Sequence, residues 1–310
     1  MEWLNIPAFI IGLLFLIKGA DVVTQHSSTL ARKLGISQFA VGMTLVAVST
    51  SLPEFAVCIA SAVLGVGDIA TGTIVGSNIA NIGLILGLSA LVIPIHNSRE
   101  FLQKGYLMLV LTLLLSLFLV RGMHWHGGAA ILAVVGVYIY RFLWTRTKTK
   151  LTRKPGRVPW REIAKHILVC ILGAILIVTG ADMLVFSTVN IAEWLSIPEL
   201  VISMTAVAIG TSLPELATSF MAAIKRMEGI SVGNVIGSNI FNVTILAVTS
   251  FIKPIPTTQH VILIDVPIMI VLTALLLIFM RTGWLLSKSE GFILFLVYLA
   301  FLFLQIPAGV

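Results

Sequence analysis

The sequence predicts an all-α polytopic membrane protein of about ten transmembrane helices, arranged as two inverted-topology five-helix repeats. The chain has 310 residues, of which 58% are hydrophobic and only 11% are charged. A membrane-spanning helix needs roughly 20 mostly apolar residues, and one half of the sequence repeats the other. Ten suitable segments lie near 5–30, 38–64, 69–93, 102–120, 126–145, 162–190, 199–224, 230–252, 259–280 and 291–307.

The basic residues predict how these segments are oriented. Nine of the 20 Lys and Arg residues lie between Arg141 and Lys165, and positive charge marks cytoplasmic loops. If the linker is cytoplasmic and there are ten spans, both termini lie outside. With this orientation, 17 of the 20 basic residues fall in cytoplasmic loops or at the cytoplasmic ends of spans. We therefore expect a multi-pass protein of the plasma membrane. Its surroundings are the lipid bilayer, with no nucleic acid and no obligatory protein partner.

The first span and the two cysteines have simple interpretations. The first apolar segment lacks the basic start of a secretory signal, so we expect it to be retained as a helix. Cys58 and Cys170 both fall in apolar segments, where a free thiol packs as a small apolar group.

A constant offset of 161 relates the two halves. The phrase "STSLPEF" at 49–55 returns as "GTSLPEL" at 210–216, "GSNIAN" returns as "GSNIFN", and "GAD" occurs at 19–21 and at 180–182. Between Gly42 and Asn81, 18 of 40 positions match their counterparts without a gap. The predicted organisation is a first repeat at 1–145, a basic linker at 146–160 and a second repeat at 161–310.

An odd number of spans per repeat requires the second copy to enter the membrane from the opposite face. The basic loops agree, because Arg32 and Lys33 have uncharged or acidic counterparts, whereas Lys225 and Arg226 are the counterparts of Leu64 and Gly65. Inverted repeats with interrupted helices are typical of secondary transporters, which bind their substrate near the membrane midplane.

The repeated motifs predict breaks in helices 2, 3, 7 and 8. Pro53 and Pro214 each remove a backbone hydrogen bond from helices 2 and 7, and glycines are expected to loosen helices 3 and 8. Non-helical backbone at membrane depth persists only where it lines protein or a water cavity. Polar side chains cluster beside these points, at Glu54, Glu215, Thr50, Thr211, Ser51, Ser212, Ser77, Ser238, Asn78, Asn239, Asn81 and Asn242.

These groups offer almost only oxygen ligands. Hard cations choose such ligands, and Ca²⁺ takes six to eight of them, whereas the absence of thiolate and imidazole argues against zinc or copper. A structural role would pair the glutamates with a buried cation or keep them protonated. The available cation is Lys18, and its expected partner is Asp21, three residues on. The charge of two ionised glutamates, about −2, would be neutralised by one divalent ion, and several Na⁺ could occupy the same oxygens instead. A transporter whose single site holds either one ion or the other, but not both, is an antiporter.

At these residues the sequence resembles the sodium/calcium exchanger family, within the cation/calcium antiporter superfamily. The resemblance is carried by "GMTLVAVSTSLPE" with "GTIVGSNIANIG" and by "SMTAVAIGTSLPE" with "GNVIGSNIFNV". It implies exchange of Ca²⁺ for about three Na⁺ by alternating access, with helices 1 and 6 sliding as a pair. It also implies Ca²⁺ ligands at Glu54, Glu215 and the Thr50 and Thr211 carbonyls. The implied Na⁺ and central ligands are the Ala47 and Ala208 carbonyls, Ser51, Ser212, Ser77, Ser238, Asn81 and Asn242.

The chain departs from the family pattern in three places. Some relatives have an aspartate at the position of Asn242, so a third central carboxylate is missing here, which argues against potassium co-transport. Ser49 stands where the second repeat has Gly210. The linker of about 15 residues is too short for the regulatory calcium-binding loop of animal exchangers, so the resemblance is to a short prokaryotic-type member.

Weaker motifs leave alternatives open. "GVGD" at 65–68 matches an intramembrane aspartyl protease motif, but Asp68 is predicted in a short outer loop without a partner aspartate. "HWH" at 124–126 can hold a metal or simply form an external turn. Asp21 and Asp182 are expected to cap or pack, and Asp265 has no acidic counterpart.

The favoured function is a sodium-driven calcium antiporter, without enzymatic activity and without a cofactor other than the transported ions. The nearest alternative is a calcium/proton antiporter on the same fold. A cation channel and an intramembrane protease are more distant.

Overall fold

Helices account for nearly all of the computed structural model, which describes residues 5–146, 159–194, 210 and 212–305. The α-helices are α1 Asn5–Leu34, α2 Gln38–Val41, α3 Ala47–Thr50, α4 Leu52–Leu64, α5 Gly67–Ala80, α6 Gly87–Val92, α7 Arg99–Leu119, α8 Trp125–Arg146, α9 Trp160–Trp194, α10 Leu213–Ile224, α11 Glu228–Thr249, α12 Val266–Arg281 and α13 Lys288–Leu304. Three π-helical segments join some of them, at Gly42–Val46, Asn81–Leu86 and Val261–Asp265.

The predicted all-α membrane class is confirmed. Six helical stretches in the described part of the chain are long and apolar enough to cross a membrane, or seven if a bent pair counts as one span. Two shorter apolar helices cover Trp125–Tyr140 and Leu213–Ile224. Most of the predicted linker, and the first part of the predicted seventh span, lie outside the described residues.

A small antiparallel sheet accompanies the helices and was not predicted. Strand β1 Ile95–His96 pairs with strand β2 Leu285–Leu286, so that Ile95 faces Leu286. The sheet ties the segment after α6 to the segment between α12 and α13. Two-residue strands give no alternation of polar and apolar residues, which is the pattern that would reveal a strand in a sequence.

The predicted break in helix 2 is confirmed. The stretch Gln38–Thr50 and helix α4 are bent by 48° relative to each other at Ser51. Pro53 occupies the first turn of α4, where its missing N–H costs no helical hydrogen bond. Pro214 occupies the same place in α10. A helix therefore begins at the proline of each repeat motif, while most of the residues that would show the predicted break in helix 7 lie outside the described ranges.

The prediction that glycine breaks helices 3 and 8 is wrong. Helix 3 continues through Gly67–Val92, with a change to π-helix at Asn81, and α11 is an uninterrupted α-helix. Glycine keeps its backbone N–H, so it does not remove a helical hydrogen bond as proline does. Gly237 instead permits close crossing, because a Cβ at this position would lie 2.4 Å from the Met43 carbonyl oxygen.

Helices α1 and α9 pack closely along each other through paired glycines. A Cβ on Gly12 would lie 2.9 Å from the Gly180 carbonyl oxygen, and one on Gly19 would lie 2.7 Å from the Gly173 carbonyl oxygen. Small residues allow backbones to approach in this way inside a membrane. Gly12 and Gly173 are counterparts at the offset of 161, as are Gly19 and Gly180, so each glycine meets the counterpart of the other.

The main hydrophobic core surrounds α5 and α11. The stretch Gly67–Val92, which begins with α5, and helix α11 are far more buried than α1 or α7, with 78% and 83% of their most apolar windows inside the protein. Cys58 and Cys170 are free and buried, as predicted. The two most buried helices are also those that carry the "GSN" motifs, so the fold places these polar residues at its centre.

Candidate cation site

The two repeated glutamates occupy equivalent positions at the start of helices α4 and α10. Glu54 lies in the first turn of α4 and Glu215 in the first turn of α10. The preceding serines have nearly the same backbone conformation, with φ −87° and ψ 15° at Ser51 and φ −92° and ψ 2° at Ser212. Negative charge is favoured near a helix N-terminus by the free backbone N–H groups. Each helix therefore supports its own carboxylate.

Both carboxylates are buried and are linked to residues of other helices. Glu54 and Glu215 are each 1% exposed. The Ser51 hydroxyl donates to Glu215 Oε1 at 2.9 Å, and the Ser77 hydroxyl donates to Glu54 Oε1 at 3.4 Å. Ser51 and Ser238 are also within hydrogen-bond distance, 3.1 Å between their hydroxyl oxygens. The polar network around the two glutamates thus contains side chains from both halves of the sequence.

Four asparagines form a second layer of contacts between the halves. Asn81 Nδ2 donates to Asn239 Oδ1 at 2.9 Å, and Asn242 Nδ2 donates to Asn78 Oδ1 at 3.1 Å. Asn239 also donates to the Asn78 carbonyl oxygen at 3.4 Å. These bonds turn the amide nitrogens of Asn81 and Asn242 toward the facing asparagines and leave their side-chain oxygens without a partner.

Five buried side-chain oxygens of this network have no hydrogen-bond partner among the described residues. Buried polar atoms are normally satisfied, so a group of unsatisfied ones needs an explanation. All five are acceptors or hydroxyls rather than nitrogens, as a cation site requires. They are Glu54 Oε2, Glu215 Oε2, Asn81 Oδ1, Asn242 Oδ1 and Ser212 Oγ.

The described residues contain no cluster of three His, Cys, Asp or Glu side chains that would hold a metal ion. The oxygens of this centre fit a hard cation nonetheless, because two carboxylates are supplemented by hydroxyl and amide oxygens. Two carboxylates also limit the formal charge to about −2, which one divalent ion neutralises.

The structure places most of the residues expected in the site within this network. Ser212 contributes an unpartnered hydroxyl. The other expected residues that belong to the network or border it are Glu54, Glu215, Thr50, Ser51, Ser77, Ser238, Asn81 and Asn242. Thr211 and Ala208 lie outside the described residues. The Ala47 carbonyl accepts from Ser51 N at 3.0 Å and from the Thr50 hydroxyl at 3.3 Å. Its role as a Na⁺ ligand remains a prediction.

Asn234 is a further buried residue of the network that the sequence reasoning missed. Its Oδ1 accepts from the Thr50 hydroxyl at 3.3 Å, and its Nδ2 donates to the Ser219 hydroxyl at 2.9 Å. Asn234 is fully buried. The counterparts of Asn234 and Ser219 are Thr73 and Cys58, so comparing the repeats concealed this contact. The available signal was an amide in an apolar helix, four residues before Ser238.

The weaker acidic motifs lie elsewhere. Asp68 is exposed in the first turn of α5. Asp265 accepts from Gln305 Nε2 at 2.8 Å, which ties α12 to the end of α13. The expected pairing of Lys18 with Asp21 is wrong, because Asp21 forms an ion pair with Lys225. Lys18 is exposed and takes part in none of the ion pairs among the described residues.

Fold and site together define a class, a helical membrane protein with an oxygen-lined polar centre buried between its two halves. A family model described as "Sodium/calcium exchanger protein" matches residues 4–144 and 165–306. The chain belongs to the sodium/calcium exchanger family.

Individual relatives agree with this assignment along almost the whole chain. The sequence is 35% identical to the sodium/calcium exchanger MaX1 of Methanosarcina acetivorans, over 97% of this chain and 98% of the relative. It is 36% identical to the inner membrane protein YrbG of Escherichia coli, over 79% of each chain. A solved structure of the sodium-calcium exchanger NCX_Mj superimposes with a TM-score of 0.84, at 29% identity, covering 97% of this chain and 98% of that one.

Proposed function

We propose that this protein exchanges Ca²⁺ for Na⁺ by alternating access at one central site between its halves. The observation that carries the proposal is the group of unpartnered buried oxygens around Glu54 and Glu215. Removing two charges from water costs several kcal/mol per ion even after relaxation. A bound cation offsets that cost. Two ionised carboxylates at this depth without a cation have nothing to offset it.

In this proposal Ca²⁺ binds between Glu54 and Glu215, with the carbonyls of Thr50 and Thr211 completing its shell. The Na⁺ ions use the hydroxyls of Ser51, Ser77, Ser212 and Ser238 together with the Ala47 and Ala208 carbonyls. Asn81 and Asn242 supply amide oxygens at the centre. Because both ions use the same carboxylates, loading with one excludes the other, and this exclusion couples the two fluxes.

The movement that we propose is a displacement of α1 and α9 against the rest of the helices. The paired glycines allow these two helices to lie close enough to move together. The organisation into repeats at 1–145 and 161–310, the cytoplasmic linker at 146–160, the external termini and the location in the plasma membrane belong to the same proposal. The transported ions and the bilayer are its only proposed partners, and no enzymatic step or cofactor is part of it.

The test uses purified protein in lipid vesicles loaded with Na⁺ and diluted into Na⁺-free buffer containing labelled Ca²⁺. We expect Ca²⁺ uptake that depends on the outward Na⁺ gradient. Uptake that ignores Na⁺ but follows a pH gradient would establish the proton-coupled alternative. Flux that needs no counter-ion would indicate a channel. Vesicles with Glu54→Gln protein provide the background, because this variant lacks one of the two site charges.

A further inference from the structure

A cavity at the end of α7 combines basic side chains with an apolar wall, away from the central site. Its volume is about 590 Å³, and it lies where the chain turns from α7 into α8. The polar part of its lining consists of Arg121, His124 and His126, and the apolar part includes Leu117, Phe118 and Val120. The cavity thus contains both histidines of the "HWH" motif, which the exchange reaction does not use.

The basic groups of this cavity are not neutralised by the described part of the protein. None of the ion pairs among the described residues involves Arg121, and no acidic side chain lines the cavity. The rings of His124 and His126 stack with their centroids 5.5 Å apart and 7° between their planes. Their ring nitrogens make no hydrogen bond to any described residue. The cavity therefore presents a guanidinium and two imidazoles to an external ligand.

The apolar wall places the cavity at the edge of the hydrocarbon layer. Leu117 and Val120 are 66% and 60% exposed at the end of α7, which is one of the candidate membrane spans. Trp125, at the start of α8, is 62% exposed. Tryptophan is enriched at the level of the lipid headgroups, where its ring has both apolar and polar surroundings. A molecule in this cavity would therefore have its polar part among headgroups and its apolar part along α7.

We propose that the cavity binds an anionic phospholipid through its phosphodiester headgroup. The planar guanidinium of Arg121 matches phosphate oxygens with paired N–H donors. The imidazoles of His124 and His126 donate further hydrogen bonds, and one acyl chain lies along Leu117 and Val120. A divalent cation fits less well because Arg121 carries a permanent positive charge. Free phosphate shares the headgroup chemistry but gains nothing from the apolar wall.

The experiment measures lipid binding to the full chain in non-ionic detergent by native mass spectrometry. The protein is titrated with phosphatidylglycerol and, separately, with phosphatidylcholine. We expect tighter binding of phosphatidylglycerol, and we expect the double variant Arg121→Gln, His126→Gln to lose about five- to tenfold of that affinity, since a basic residue near a membrane surface contributes about a factor of five. Phosphatidylcholine binding should not change.

Lys253→Gln is the matched control, because Lys253 is a basic, exposed residue that does not line this cavity. It should keep full affinity for phosphatidylglycerol. Equal loss in the control would overturn the proposal in favour of general surface charge, and so would unchanged binding by the double variant. Competition by millimolar inorganic phosphate would show a free-anion site instead. The thermal unfolding midpoint is measured for each variant, so that loss of binding is distinguished from loss of folding. The single variant Arg121→Gln serves the same purpose if the double variant does not fold.

Discussion

Asn81 donates from Nδ2 to Asn239 Oδ1 at 2.9 Å, and the counterparts of these two residues, Asn242 and Asn78, make the same bond at 3.1 Å. Each bond joins one half of the sequence to the other. In both, the donor is the asparagine that keeps an unpartnered oxygen. The bond therefore fixes which end of the amide is available to a cation, and it does so twice.

The first prediction concerns the acceptors of these bonds. Asn239→Ala and Asn78→Ala should each raise the KM for Ca²⁺ by about tenfold, because losing one buried hydrogen bond costs about 1–3 kcal/mol and frees the facing amide to rotate. Initial rates of Ca²⁺ uptake into Na⁺-loaded vesicles provide the measurement. Asn97→Ala is the control, since Asn97 lies beyond α6 at the small sheet. A large effect from only one of the two variants would contradict the equivalence of the bonds.

The second prediction concerns the carboxylates. Glu54→Gln and Glu215→Gln should each reduce Ca²⁺ exchange at least a hundredfold, since each removes one of the two charges that offset the ion while keeping the side-chain shape. Ion binding by calorimetry and flux in vesicles both report this loss. Glu228→Gln, which removes a carboxylate near His96, should exchange normally. Near-normal flux by either site variant would show that the site lies elsewhere.

The third prediction tests Asn234 as a positioning residue. Asn234→Ala removes one of the two acceptors of the Thr50 hydroxyl and the partner of the Ser219 hydroxyl, so we expect a higher KM for Ca²⁺ with a smaller change in the maximal rate. Stability should fall by about 1–3 kcal/mol. The matched control is Thr73→Ala, the same position in the other repeat, which should leave KM unchanged. If Asn234→Ala lowered stability without moving KM, the residue would be purely structural.

The fourth prediction concerns the ion pair between Asp21 of α1 and Lys225 after α10. Both side chains are partly exposed, at 31% and 24%, so the pair contributes about 1 kcal/mol or less. If α1 moves during exchange, breaking this pair is part of the barrier. Asp21→Asn and Lys225→Met should therefore change turnover by up to about fivefold in the same direction.

Combining the two substitutions should give no further change beyond either alone, because the pair is already lost. Asp182→Asn is the control for this ion pair. Asp182 is the counterpart of Asp21, but the counterpart of Lys225 is Leu64, so the second repeat has no equivalent pair. Full additivity of Asp21→Asn and Lys225→Met would show that the two residues act independently.

Pro53 and Pro214 made the helix starts at α4 and α10 predictable, because a missing N–H and a clashing ring act locally whatever surrounds them. The importance of the two carboxylates was also predictable, since an acidic residue at membrane depth either pairs with another group or serves a function. Most of the spans were likewise evident from apolar length alone.

Contacts that depend on tertiary packing were not predictable. The glycines of α11 were taken for weak points in a helix, whereas Gly237 is needed where the Met43 backbone crosses. Asp21 has a local candidate partner in Lys18, but the partner it uses is more than 200 positions away. Asn234 has Thr73 as its counterpart in the other repeat, so the comparison of repeats that predicted the site did not reveal this contact.

The crossed contacts of glycines and asparagines have the form of contacts across a two-fold axis, where residue i of one subunit meets j of the other and j meets i. Two separate copies of one half-length chain would satisfy the same pairs. A single chain thus contains the reciprocal contacts that are expected of a homodimer of its halves. Because the halves are parts of one chain, each can carry residues that the other lacks, and Asn234, which bonds Thr50 and has Thr73 as its counterpart, is one such difference.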